Sequence, residues 1–317
     1  MGRLRNGSFH LLVQRELARL SEFDVVIDEI NTIPFLTPLW GRRLPPVVTL
    51  IHQMAVEVWD AEVPKPLAAI GRRLEPRLLG LYEDVPVVTV SESTRGDLHR
   101  LGLRNVHVVP MGLNEPPDLD GVQKEEVPTF LFVGRLAANK RPDHAVEAFR
   151  IIRERIPEAR MWIVGRGPME DRLRDRLPPG AEMLGYLPRR ELYERMARAH
   201  CLLVTSVREG WGMVITEANS VGTPAIGYDV PGVRDAIRHG ETGLLAAAAN
   251  PGELARVALS LTTDDDAYAS HCEQALVGSG LYSWDRTAEL LMTFAAGATH
   301  AVDDTTSQSR RRAPSGV

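Results

Sequence analysis

Short apolar runs recur along the chain, and most are followed by a segment whose apolar residues return every three or four positions. The runs Asp24 to Ile30 (DVVIDEI), Val47 to His52 (VVTLIH), Pro86 to Ser91 (PVVTVS) and Val106 to Pro110 predict four strands. Thr129 to Gly134 (TFLFVG), Met161 to Gly165 (MWIVG), Cys201 to Thr205 and Pro224 to Tyr228 predict four more. Unbroken apolar runs of this length suit strands covered on both faces, as in parallel sheets. After Pro142, residues Val146, Phe149, Ile152 and Ile156 form one helical stripe. Strand and helix in alternation close as right-handed crossovers, so the predicted class is α/β with two open, doubly wound parallel sheets. The halves are unequal: about four strands precede Asn114, against roughly six in a full doubly wound half.

Composition narrows the picture. With 317 residues, 44% of them hydrophobic, the chain has the make-up of two ordinary domains. A net charge of -5 and a pI near 6.0 argue against a broad nucleic-acid surface. Arg15 and Glu16 interrupt the apolar residues after Arg3 and Arg5, so no signal-peptide core is expected, and no run reaches membrane-spanning length. A cytoplasmic location is expected. Two cysteines far apart, Cys201 and Cys272, fit a reducing compartment.

Ligands of parallel sheets collect at strand carboxyl ends beside helix N-termini, and three loops fall there. In GRLAANKRP (134 to 142), Gly134, Arg135 and Lys140 share one loop; two cations beside free amides suit a diphosphate, although two solvated cations in a turn would look the same. IVGRGPMEDRL (163 to 173) begins Gly-x-Gly, but Glu170 stands where a dinucleotide fingerprint has its third glycine. A tight turn with Pro168 at the first helical position is the expectation there. In REGWGMVITE, Gly210 and Gly212 permit close backbone approach before a helix expected from Met213. Glu209 lies ahead of that helix and Glu217 about one turn inside it. Carboxylates are strong acceptors for sugar and ribose hydroxyls, so a ligand that is anionic in the middle and hydroxyl-rich at both ends fits: a nucleotide sugar. Favourable placement of acids near a helix start would explain either glutamate alone.

EGWGMVITE followed by A-x-x-x-G-T-P, with VGRLAANKRP, IVGRGP, GYLP and GETGLL, resembles the donor-binding half of the family-4 retaining glycosyltransferases. The resemblance extends through VTVSESTR, VHVVPMG and YSWDRTAELL, covering Asp24 to about Ala295. It implies the GT-B fold, two facing Rossmann-like domains. It also implies that Arg135 and Lys140 hold the donor diphosphate, Glu209 contacts the transferred sugar and Glu217 the ribose, while the amides of Gly212, Met213 and Val214 support the diphosphate. The base would meet loop backbone from Gly185 to Leu187. His52, in TLIHQM, matches a family histidine that reaches the sugar; by itself it reads as a strand-end residue with its hydrogen bonds satisfied. The implied reaction retains anomeric configuration and uses no cofactor or metal, with a UDP- or GDP-linked sugar as substrate. Asp264 to Asp266 are expected to be solvated.

Family members open with a strand and a glycine-rich loop, whereas this chain opens with NGSFHLLVQRELARL, a turn and helix, and passes directly to DVVIDEI. The expected division is therefore a partial acceptor-side domain (1–113), a linker (114–128), a donor-binding domain (129–282), a C-terminal helix returning toward the first domain (283–298) and a disordered tail (299–317). Expected partners are the nucleotide sugar, an acceptor that is a glycan, lipid-linked or a small molecule, and a partner chain supplying the missing segment; no nucleic acid is expected. KPLAAIGRRLEPRLLGL (65 to 81), with Lys65, Arg72, Arg73 and Arg77 among leucines, suits peripheral contact with an anionic membrane or a buried helix. Two alternatives stay open: a glycosyltransferase-like subunit that binds without catalysing, and a nucleotide-sugar epimerase on a similar fold.

Overall fold

The computed structural model describes residues 23–31, 33–39 and 45–311, with side chains to residue 297. The opening segment NGSFHLLVQRELARL lies outside the described residues. The chain divides into two compact units, one comprising Met1–Ala55, Ala69–Pro110 and Asp285–Val317, the other Val56–Ala68 and Met111–Trp284.

In the first unit β1 (Val26–Ile30), β2 (Val47–Ile51), β3 (Val87–Thr89) and β4 (Val106–Val108) lie side by side in chain order, all parallel, with Val26 opposite Val47 and Thr49 opposite Val87. Between β2 and β3 run α1 (Val56–Glu62), which belongs to the second unit, and α2 (Lys65–Gly80); α3 (Glu92–Arg100) joins β3 to β4. Ser91 caps α3, its hydroxyl accepting from the Thr94 amide at 3.3 Å. Asp28 is buried on β1 and is held by the hydroxyls of Thr37 at 2.7 Å and Tyr82 at 2.9 Å. α2 forms with Pro76 inside it, burying Gly71, Glu75 and Leu79 and leaving Ile70 and Leu74 exposed. The Glu75 carboxylate accepts from the Ala55 amide at 2.6 Å, which satisfies a charge inside the unit.

The second unit holds β5 (Thr129–Val133), β6 (Arg160–Val164), β7 (Ala181–Gly185), β8 (Cys201–Val204), β9 (Ala225–Tyr228) and β10 (Gly243–Ala246), all parallel in the order β10-β9-β8-β5-β6-β7. The strand order reverses between β5 and β8, and in such a sheet the crevice beyond those two carboxyl ends is where ligands bind. Around it lie α4 (Pro142–Arg153), α5 (Glu170–Arg174), α6 (Arg189–Arg198), α7 (Met213–Asn219), α8 (Val233–Ala236), α9 (Pro251–Thr262) and α10 (Asp265–Ser279). The predicted stripe of α4 is buried: Val146, Phe149 and Ile152 pack with Phe130, Met161, Leu203 and Leu261. β7 and β10 escaped the sequence reading, β7 because AEMLG is mixed in pattern, β10 although it opens the apolar run GLLAAAA; they are the outer strands, with only one sheet neighbour each.

Asp264 to Asp266 are exposed, as expected, and Asp264 also caps α10, accepting from the Ala267 amide at 3.0 Å. Three details differ from expectation. Pro168 sits in the turn ahead of α5 and not at its first position. The end of the expected linker is docked on the second unit: Glu125 pairs with Arg198 and Arg160, and Lys124 donates to the Ala199 carbonyl at 2.7 Å. Finally, α11 (Trp284–Arg311) continues through residues 299–311, expected to be disordered, in a stretch without proline before Pro314. Leu290, Leu291 and Phe294 of α11 pack on Val48, Val88 and Val109 in the first unit. No helix among the described residues is long and apolar enough to cross a membrane.

Candidate functional site

The crevice between β5 and β8 is framed by the loop 134–141 and the loop 205–212. Thr205, fully buried, ties them together: its hydroxyl lies 2.8 Å from the carbonyl oxygens of both Lys140 and Arg141 and donates to them. The Val207 amide adds a bond to the Asn139 carbonyl at 2.9 Å. Arg141 has φ 46°, a left-handed conformation that a non-glycine residue adopts at a cost of about 1 kcal/mol or more, and the bond from Thr205 helps to hold it. That turn delivers the Lys140 ammonium to the Glu209 carboxylate; Oε1 of Glu209 also accepts from the Ser206 hydroxyl at 2.6 Å. Lys140, Glu209 and Ser206 therefore form one half-buried cluster in the crevice.

The backbone around Glu209 is fixed from behind. Its amide donates to the Pro231 carbonyl at 3.0 Å, and Gly232, at φ 82°, comes so close that a Cβ there would lie 2.1 Å from the Glu209 carbonyl oxygen. Gly212, at φ 87°, turns the chain into α7, where Met213 and Val214 are half-buried. α7 has only seven residues, so its dipole is a small contributor to any anion site. Glu217, one turn in, faces Arg189 and Tyr193 of α6: burial raises its pKa above the ordinary carboxylate range while Arg189 opposes the rise. Tyr193 is pushed up in turn by burial and by the Glu217 charge.

The other candidates are more loosely placed. Gly134 and Arg135 open the first loop; Arg135 is exposed, with Nη1 4.0 Å from Oε2 of Glu62 on α1. Leu187 lies half-buried just beyond β7. His52 follows directly on β2 in the first unit, with Nε2 3.2 Å from Glu29 Oε1 and its carbonyl accepting from the Thr94 hydroxyl at 3.3 Å. Sequence reasoning passed over Ser206, Thr205 and Glu62. Ser206 stands three residues before Glu209, but nothing in that spacing says that the loop folds its hydroxyl onto the carboxylate.

Several motifs that carried the resemblance have structural explanations. A Cβ at Gly165 would lie 1.9 Å from the Gly134 carbonyl oxygen and one at Gly167 2.4 Å from that of Leu136, so this Gly-x-Gly lets one loop pack on another. Thr223 of the G-T-P motif donates to the Met196 carbonyl at 2.6 Å and accepts from Lys124 Nζ at 2.6 Å. Thr242 of GETGLL accepts from the Arg238 amide at 3.0 Å, and Trp284 of YSWDR donates to Asn114 Oδ1 at 3.0 Å.

Residues 120–275 match the family model described as Glycosyl transferases group 1. The D-inositol 3-phosphate glycosyltransferase of Geodermatophilus obscurus is 27% identical over 286 residues, covering 80% of this chain and 62% of its own. An exopolysaccharide phosphotransferase of Streptomyces coelicolor is 33% identical over 186 residues, 56% of this chain and 19% of that protein. The chain thus spans less than two thirds of the length of either relative. Among solved structures, sucrose-phosphate synthase from Thermosynechococcus elongatus aligns with a TM-score of 0.74 at 18% identity, covering 92% of this chain and 78% of that one. Anabaena HepE in complex with UDP-glucose aligns with a TM-score of 0.68 at 17% identity, over 92% and 82%. At these identities the likeness is one of fold, and it is the GT-B type of α/β fold expected from the sequence. With its fold, its ordered motifs and its matched span in agreement, the chain carries over residues 120–275 a domain of the glycosyl transferases group 1 family.

Proposed function

We propose that this protein transfers a sugar from a UDP- or GDP-linked donor to an acceptor hydroxyl, retaining anomeric configuration and needing no metal. The observation that carries the proposal is the Lys140, Glu209 and Ser206 cluster in the β5/β8 crevice of a group 1 glycosyltransferase domain. The ammonium of Lys140 has three N–H donors, so it can keep Glu209 and still reach a phosphate oxygen. The exposed guanidinium of Arg135 can grip a second oxygen in a fork. As the bond from sugar to phosphate breaks, negative charge grows on the leaving diphosphate, and cations already in place stabilise it without reorganising. Glu209 accepts from a sugar hydroxyl and Glu217, once ionised, from the ribose hydroxyls. The amides of Gly212, Met213 and Val214 and the backbone at Leu187 complete the nucleotide side. The acceptor proton passes to the leaving phosphate oxygen, so charge and atoms balance without a separate base. The UDP-glucose named in the HepE structure and the glycosyltransferase names of the relatives support a nucleotide-sugar donor. His52, in the first unit, is the candidate for the histidine that reaches the transferred sugar. Exposed Ile70 and Leu74 on α2, with Arg73 and Arg77, suit peripheral contact with an anionic membrane, tested by co-sedimentation with anionic vesicles.

The test is release of nucleotide from a panel of UDP- and GDP-sugars, with and without EDTA, by the full chain and by Lys140→Ala and Glu209→Ala. Losing one preorganised contact to a developing charge costs about 3 to 4 kcal/mol, so each variant should fall by roughly 10²- to 10³-fold. NMR of the product anomer checks retention. Variants as active as the parent refute the assignment; nucleotide binding without turnover favours a binding-only subunit.

A further inference from the structure

Helix α1 lies outside every motif of the sequence, yet it holds both loops of the crevice. Glu57 Oε2 accepts from Arg208 Nε at 2.5 Å and Oε1 from Nη2 at 3.3 Å, and that arginine is 4% exposed. Five residues later, Glu62 Oε1 accepts from the Asn139 amide at 3.1 Å, with Oε2 4.0 Å from Arg135 Nη1. Five residues on an α-helix are about 140° apart around the axis and roughly 7.5 Å along it, which suits a helix that lies between two loops and reaches one from each side. α1 itself has seven residues and no fully buried side chain. A helix this short has little stability of its own, so its polar grips contribute much of what keeps it in place. Each grip is one residue from a member of the central pair: Asn139 precedes Lys140, and Arg208 precedes Glu209.

We infer that α1 is a staple of the donor site, with Glu57 and Glu62 as positioning residues that together set the separation of Lys140 and Glu209. Its meaning for the donor rests on the function proposed above; the staple itself does not. A carboxylate at only one end would brace one loop, whereas carboxylates at both ends couple the loops through a rigid element. Losing either end should therefore release both loops.

Hydrogen exchange of the full chain without nucleotide tests this in Glu57→Gln, Glu62→Gln and the double variant. Glu57→Gln is expected to raise exchange at Ala138 to Lys140 as well as at 205–209, and Glu62→Gln to do the same in the opposite direction. Loosening confined to the loop that each residue touches, or no loosening, overturns the inference. Exchange in β9 and α9 reports global folding; if Glu57→Gln raises it there, Glu57→Asp takes its place. Binding of UDP gives a second readout. Each single variant should weaken it about tenfold, and the double variant should be no more than about twofold worse than the weaker single, the non-additivity expected of one coupled unit. An additive loss of about a hundredfold counts against the staple. Failure of the parent chain to bind UDP counts against the nucleotide reading, and the exchange data still decide on the staple.

Discussion

Lys124 allows a worked prediction. Its ammonium is largely buried between the second unit's strands and helices, donating to the Ala199 carbonyl at 2.7 Å and the Thr223 hydroxyl at 2.6 Å, with no carboxylate among those two partners. Burial pushes its pKa down from 10.5 to about 8. Protonation is then about 3 kcal/mol less favourable in the folded chain than in the unfolded one, at 1.36 kcal/mol per pKa unit. At pH 7 the amine is charged in both states and the folded state bears that cost. As pH rises through 8 the folded amine gives up its proton while the unfolded amine keeps it, so the unfolded state binds more protons and stability climbs. From this group alone the climb between pH 7 and pH 9 is about 1 kcal/mol. Lys124→Met keeps the apolar stem and should abolish that climb. The assay is urea unfolding of both proteins at pH 7, 8 and 9, followed by the fluorescence of Trp162 and Trp211, both buried in the second unit. Two units can unfold in separate steps, so the step of the second unit is the one to compare. Groups remote from Lys124 are common to both proteins and cancel in the difference; Cys201, whose thiol is pushed up by burial and pulled down by the Lys124 charge, responds to the substitution and contributes to it. Identical pH slopes for parent and variant would refute the reasoning.

Glu217 should impose the opposite sense on stability and a matching sense on binding. Because burial raises its folded pKa, stability is lost as pH rises through that value, while UDP affinity, if Glu217 holds the ribose as proposed, should increase over the same range; calorimetric titration of parent and Glu217→Gln should show the dependence only in the parent. Gly232→Ala places a methyl 2.1 Å from the Glu209 carbonyl at a φ of 82°, so thermal melting should fall by the equivalent of at least about 1 to 3 kcal/mol, with donor-dependent activity lost as well. Unchanged melting of the Gly232→Ala variant would mean that the loop can move aside freely.

The strands that the sequence announced are those with two sheet neighbours in the second unit, β5, β6, β8 and β9, whose burial on both faces demands a run of apolar residues such as FLFV or CLLV. β7 and β10 stand at the edges, where strands are partly exposed; the mixed pattern of AEMLG did not separate β7 from a loop, whereas β10 is apolar throughout, GLLA within GLLAAAA, and was passed over. Arg135, Lys140, Glu209 and Glu217 could be picked out as candidates because cations and acids beside glycines at strand ends are where a parallel sheet gathers ligands. The glycines of IVGRGP, expected to form a tight turn, and the threonine of the G-T-P motif have partners that lie far away in sequence, so the loop and helix they pack against could not be named from the chain alone.

The amino-acid sequence by itself determined the class of fold, the order of its buried strands and the kinds of side chain available at the carboxyl ends, because period, propensity and charge are local properties. Only the tertiary structure decided which loops meet. The reversal of strand order between β5 and β8 brings loops some 70 residues apart in the chain into contact, setting Lys140 against Glu209 and Ser206. It also sets Glu57 and Glu62 of α1 against Arg208 and Asn139, a contact across as many as 151 positions that no spacing rule along the chain encodes. The reason is that such contacts depend on sheet topology and loop closure, which are cooperative properties of the packed chain and not of any window within it.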